Sequence, residues 1–276
     1  MIKRMVKAGT RAVLVAVLIS MPALLLPQTT ADATQFIALL ALIGALLAFV
    51  EYVGDYPSII EFRDAPPFNR LRFLALFATV LILTLISRGE VAPSALSDRL
   101  HGLGHSVGEV LDFPYSPVRL MVLGASADLT VGQGEMIRTH AGIAYLLSLL
   151  ATAGFVLVVR VLNWPTRSGA FNFWVNLPLF DPTAGGDVLR RLKRDAIVNI
   201  ALGFLLPFLI PALMKLATAA FAPISLANVH SLIWITSAWA FLPASLIMRG
   251  VALMRIAELV EEKRRRAYAQ ADLQAA

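Results

Sequence analysis

The chain has 276 residues, of which 58% are hydrophobic and 15% charged, with a net charge of +6 and a mean hydropathy of +0.74. Soluble globular chains carry roughly 45–50% apolar and about 25% charged residues, so this is the composition of a membrane protein. It contains no cysteine, which excludes disulfides, thiolate nucleophiles and Cys-ligated zinc or iron–sulfur centres.

Six stretches are long and apolar enough to cross a bilayer, at about 12–27, 34–52, 70–87, 141–162, 196–220 and 230–249. The expected fold is all-α: a polytopic transmembrane bundle in which residues 1–276 form one helical domain. Lys3, Arg4, Lys7 and Arg11 precede the first span. Arg190, Arg191, Lys193 and Arg194 precede the fifth, and Arg255, Lys263, Arg264, Arg265 and Arg266 follow the sixth. With six crossings these clusters fall on one side, which the positive-inside rule makes the cytoplasm, together with both termini. Loop 53–69 runs against this pattern, with more acid than base. Arginine outnumbers lysine 19 to 5, as in a GC-rich bacterial gene, so the expected location is a bacterial inner membrane. The first span also has the form of a secretory signal, with Ala31-Asp32-Ala33 as its cleavage motif. Cleavage there would leave five spans without inverting any of them.

Between the second and third spans, "GDYPSIIEFRDAPPFNRLRF" mixes aromatic, basic and acidic residues, and its prolines exclude a continuous helix. Tyr56, Arg63, Asp64, Phe68 and Arg70 are its partner-binding candidates. A loop at the headgroup level has the same composition.

The connection 88–140 is too long for a simple link and falls on the outer side. Within it, "DRLHGLGHSVGEVLDF" places His101, His105 and Glu109 four apart, the spacing of a metal site on one helical face. Leu96, Leu100, Leu103, Val107, Val110 and Leu111 recur at 3.6-residue spacing on the other face. The preferred reading is an interfacial helix over 94–112, apolar side down, with the histidines and Glu109 on its wet side. Gly102, Gly104 and Gly108 weaken the helix that would have to hold a rigid metal site. Further on, "GASAD" at 124–128 contains Gly-x-Ser. Together with the late His230 this resembles, in outline, an intramembrane serine protease of the rhomboid type. The resemblance covers four residues and lacks the Ala-His-x-x-Gly pattern; it implies a Ser126–His230 dyad.

After the fourth span, "NWPTRSGAFNFWVNLPLFDPTAGGD" has the aromatic density of a membrane interface, and its Asp187 suits the N-cap of the fifth span's helix. The fifth span carries Asn199, Gly203, Pro207, Pro211 and Lys215 at four-residue spacing. Each proline frees a carbonyl one turn earlier, at Gly203 and Pro207. Asn199, Pro207, Pro211 and Lys215 could line a polar cavity; the simpler reading has Lys215 reaching the outer interface. Span interiors hold no Asp or Glu, which disfavours an ion-driven transporter. The sixth span runs on as a charged helix over 250–276.

The functional expectation is an accessory or assembly subunit that binds the lipid bilayer and other integral membrane proteins, without nucleic acid or cofactor and more plausibly without catalysis. A small-solute transporter or channel built around the fifth span is the alternative, and an intramembrane hydrolase or external metal-binding protein ranks third.

Overall fold

The computed structural model describes residues 2–27, 30–125, 129–165, 171–181, 187–220 and 226–275. They form helices with no strand among them: α1 (Ile2–Leu25), α2 (Ala31–Val53), α3 (Phe68–Gly89), α4 (Ala95–Leu111), α5 (Pro117–Gly124), α6 (Val131–Val161), α7 (Phe173–Asn176), α8 (Val188–Ala220) and α9 (Val229–Ala275). Six of these, α1, α2, α3, α6, α8 and α9, are long and apolar enough to cross a membrane, one for each expected span. The chain is therefore a multi-pass helical membrane protein.

Helix starts follow local capping chemistry. Thr30 accepts from the Ala33 N–H, and Ser116 accepts from Arg119 with Pro117 in the first turn. Ser94 with Ser97, and Thr130 with Gln133, form reciprocal capping boxes. Each such cap stabilises its helix by ~1 kcal/mol. Thr130 starts α6 about ten residues ahead of the expected span, so the helix projects beyond the apolar window. At α8, Asp187 Oδ1 accepts from the Leu189 N–H at 3.2 Å, the capping contact expected from the sequence.

Helices α3, α6, α8 and α9 make the body of the bundle, and α9 touches α8, α6, α3 and α1. Helix α2 packs on α1 alone among the described elements. Small residues set the closest approaches. A Cβ on Gly203 would lie 2.6 Å from the Pro243 carbonyl, and one on Gly250 would lie 2.7 Å from that of Ala196, so α8 and α9 meet backbone to backbone. Two apolar clusters fill the bundle. One, near the end opposite the termini, joins Leu18, Met21, Leu83, Met121, Ile137, Ile233 and Trp239. The other, near the termini, joins Phe62, Phe68, Phe155, Trp164, Leu177, Met248 and Ile256. Ion pairs mark the same end: Arg4–Asp55 at 2.6 Å, Lys193–Glu261 at 2.8 Å and Arg264–Asp187 at 2.9 Å.

The long connection is folded. Helix α4 spans the expected segment, and its closest contacts within the bundle are made by small residues. The buried positions are Ser97, Gly104 and Gly108, turned toward α3 and α6. A Cβ on Gly108 would be 2.9 Å from the Arg138 carbonyl, and one on Gly142 would be 2.6 Å from the Gly108 Cα. The glycines let α4 lie against α6; Leu100 and Leu111 are partly buried, while Leu96, Leu103 and Val110 remain exposed. Asp112 then closes the helix between two arginines, 2.7 Å from Arg119 Nε and 2.8 Å from Arg138 Nε. Helix α5 inserts between α6 and α8, with Gly124 set against the Pro211 carbonyl.

Candidate binding cleft

The loop between α2 and α3 is held from both sides. The Glu51 carboxylate, buried at the end of α2, accepts from the backbone N–H groups of Ser58, Ile59 and Ile60 at 3.0–3.1 Å and from the Ser58 hydroxyl. Arg63 folds back to donate to the carbonyls of Glu51, Gly54 and Asp55 at 2.9, 2.7 and 3.0 Å. These are acceptors left over at the C-terminus of α2, where a cation is favoured. Arg4 also reaches this point, bonding Asp55 and the Gly54 carbonyl. The Arg4 hydrogen bond holds the Asp55 carboxyl below the usual carboxylate range.

Phe62 takes φ 52° at the turn, a left-handed conformation that is an outlier for a bulky residue. Its surroundings hold it there. Its N–H donates to the Asn176 carbonyl at 2.7 Å, and its ring lies 4.5 Å from Phe68 and 5.6 Å from Trp164, centroid to centroid. The Trp164 indole N–H in turn donates to the Ala65 and Pro66 carbonyls. The two loops at this end thus share one aromatic core.

Above the loop, between the α1–α2 pair on one side and α3, α8 and α9 on the other, lies a cleft of about 1260 Å³. Its polar end carries Arg11, Arg63, Arg70, Arg72 and Arg249 with only Glu61 and Asp64 as acids. Its other walls are apolar: Leu14 and Val15 from α1, Phe73, Leu74 and Phe77 from α3, Leu206 from α8, and Leu242 and Leu246 from α9. Glu61 and Arg249 form a forked pair at 2.5 and 2.7 Å that fastens the loop to α9. Arg11 lies over the Tyr52 ring at 4.1 Å. Arg72 stands between Phe68 and Phe241, at 5.2 and 5.8 Å from the ring centroids, and its buried Nε has no hydrogen-bond partner among the described residues. A neighbouring hollow of about 540 Å³ adds Lys3, Arg4 and Lys7 at the mouth. Ligand sites commonly occupy 300–1,000 Å³, so the cleft is large enough for a whole small molecule or a lipid head with part of its chain.

The residues singled out from sequence are distributed differently. Of the partner-binding candidates, Phe68 is fully buried in the aromatic core and Arg63 is engaged on backbone carbonyls. Tyr56, Asp64 and Arg70 are exposed, and the last two also line the cleft. In α4, His105 Nε2 sits 3.4 Å from Glu109 Oε1, and His101 lies one turn earlier. Among the described residues no group of three His, Asp or Glu side chains is placed to hold a metal. Asn199, Pro207 and Pro211 are buried on α8 away from the cleft, with Lys215 exposed beyond them. The Asn199 amide donates to its own helix at Asp195, and the Pro207 carbonyl freed by Pro211 accepts the Trp239 indole N–H at 3.0 Å. Gly203 and Pro207 thus belong to the contact between α8 and α9, and Pro211 packs against α5. Ser126 lies outside the described residues. His140 is buried: its Nδ1–H donates to the Met136 carbonyl, and its Nε2 hydrogen-bonds the Ser87 hydroxyl, both at 2.9 Å.

The cleft itself was not anticipated. Its charges come from three stretches far apart in the chain, and the available signal was weak: arginines at the same end of three spans, in Arg11, Arg70 with Arg72, and Arg249.

No protein-family model, no curated protein and no solved structure matches this chain. What fold and site define is a class: a multi-pass helical membrane protein, with six helices among its described residues able to span a membrane, and with an arginine-lined cleft at the end that bears its termini.

Proposed function

We propose that the chain is an accessory or assembly subunit of a larger membrane complex, acting by binding rather than by chemistry of its own. It resides in a bacterial inner membrane with both termini and the cleft toward the cytoplasm. The observation that carries the reading is the cleft: an ordered cavity whose arginines outnumber its carboxylates and whose loop wall is braced at Glu51, Arg63 and Glu61. Such bracing holds a surface ready for a partner at little ordering cost. The basic residues flanking α1, α8 and α9 support the orientation.

Purification in mild detergent tests the reading. The chain should migrate with partners, well above its own 29.9 kDa plus detergent. Tyr56→Ala, at the exposed loop tip, should weaken that association without unfolding the protein. A stable monomer that moves a solute in liposomes would overturn the proposal in favour of a transporter.

A further inference from the structure

We propose that the cleft holds one phosphate-headed lipid, its head among Arg11, Arg70 and Arg72 and its chain against the apolar wall. The charges point there first. Glu61 is taken by Arg249, and Asp64 lies 3.5 Å from Arg63, whose remaining N–H groups serve backbone carbonyls. Arg11, Arg70 and Arg72 have no carboxylate within ion-pair distance among the described residues. Arg72 is the most telling, since its Nε is buried without a hydrogen-bond partner among the described residues. A desolvated guanidinium is costly until an anion meets it. Phosphate oxygens match the guanidinium fork, and a phosphomonoester, carrying nearly two charges, suits three unpaired cations better than a diester carrying one.

The walls argue for an amphiphile. Leu14 lies about one turn beyond Arg11, Phe77 about 7–8 Å beyond Arg72 along α3, and Leu242 about 10 Å beyond Arg249 along α9. Charge at one end and hydrocarbon over the next ~10 Å is the shape of a lipid head and its first methylenes. Leu14 is 41% exposed and Leu242 52%, so the wall opens sideways, where a bilayer would meet it. Lys3, Arg4 and Lys7 at the mouth raise the local concentration of anionic heads. The inference rests on the cleft being a binding element and does not require that the chain belong to a complex.

Native mass spectrometry of the full chain in neutral detergent tests it, with dioleoyl phosphatidate, dioleoyl phosphatidylcholine and inorganic phosphate as probes. One phosphatidate should be retained, at least tenfold more tightly than phosphatidylcholine. Arg72→Gln should weaken that binding tenfold or more, and Arg99→Gln on α4 should leave it unchanged. Arg70→Gln, at an exposed side chain, gives the same reading should Arg72→Gln fail to fold. Equal retention of the two lipids, or wild-type retention by Arg70→Gln, overturns the proposal. Inorganic phosphate bound as tightly as phosphatidate also overturns it and assigns the arginines to a soluble phosphate compound. A chain that purifies alone yet retains phosphatidate would sink the subunit reading and uphold this one. Partners without lipid preference would do the reverse.

Discussion

Adding a single methyl group at two glycines should change stability in opposite directions. An alanine Cβ at Gly142 would sit 2.6 Å from the Gly108 Cα and 2.8 Å from its nitrogen, both backbone atoms of α4. One at Gly102 meets nothing within 4 Å. Both substitutions gain helix propensity, worth ~1 kcal/mol relative to glycine. At Gly142 the methyl must also push α4 away from α6, at a cost of about 1–3 kcal/mol for overpacking, and the upper part of that range applies because backbone cannot rotate aside. Gly142→Ala should therefore destabilise by about 1–2 kcal/mol net, and Gly102→Ala should stabilise by about 0.5–1 kcal/mol. The propensity gain cancels in their difference, which isolates the helix contact. Gly104→Ala should fall between them, since the methyl there meets the Thr139 and Ile143 side chains, which can move. Unfolding in mixed micelles titrated with a denaturing detergent measures all three. Gly142→Ala and Gly102→Ala within about 0.5 kcal/mol of each other would refute the close contact between α4 and α6.

Trp239→Phe keeps the ring but strands the Pro207 carbonyl, so the same titration should show a loss of about 1–3 kcal/mol; an unchanged midpoint would mean water or another group serves that carbonyl. Glu61→Gln should cost about 3 kcal/mol, the lower part of the range for breaking a buried ion pair because Arg249 keeps 24% side-chain exposure, and Arg249→Met in the same chain should recover part of it. Reporter fusions after residues 60, 180 and 270 should report cytoplasm and those near 30, 110 and 226 the outside, and a cytoplasmic signal at 110 would invert the proposed orientation. His101→Ala should leave stability within about 0.5 kcal/mol and metal content unchanged, whereas stoichiometric zinc lost with His101 would establish a metal site on α4.

The spans were legible because bilayer thickness imposes length and apolarity on each helix separately, so no tertiary knowledge is needed to find them. Local chemistry was legible too: Asp187 caps α8, and the carbonyl at Pro207 is freed as the Pro211 ring requires. The acceptor's partner, Trp239, lies 32 residues away and depends on how α8 meets α9. Helix α4 shows what periodicity leaves out. Hydrophobicity identifies its leucine side, but the closest packing within the bundle uses glycine, whose value lies in the missing side chain. A scale that scores what a residue carries does not register what it makes room for. The cleft was illegible for a related reason. Arg11 and Arg249 are 238 positions apart, and each alone reads as an ordinary interface arginine.

Helix α9 also sets the order in which the protein can be completed. It follows α1, α3, α6 and α8 in the chain, and among the described elements it alone contacts all four, supplying Trp239 to Pro207 and Arg249 to Glu61. About 160 residues separate the start of α3 from the start of α9, roughly 8–30 s of synthesis at about 5–20 residues per second. For that interval the face of α3 destined for α9 waits for its partner, and the face of α6 waits for the roughly 100 residues between its own start and that of α9, about 5–20 s. These apolar faces must be sheltered by lipid, by the insertion machinery or by one another until α9 arrives.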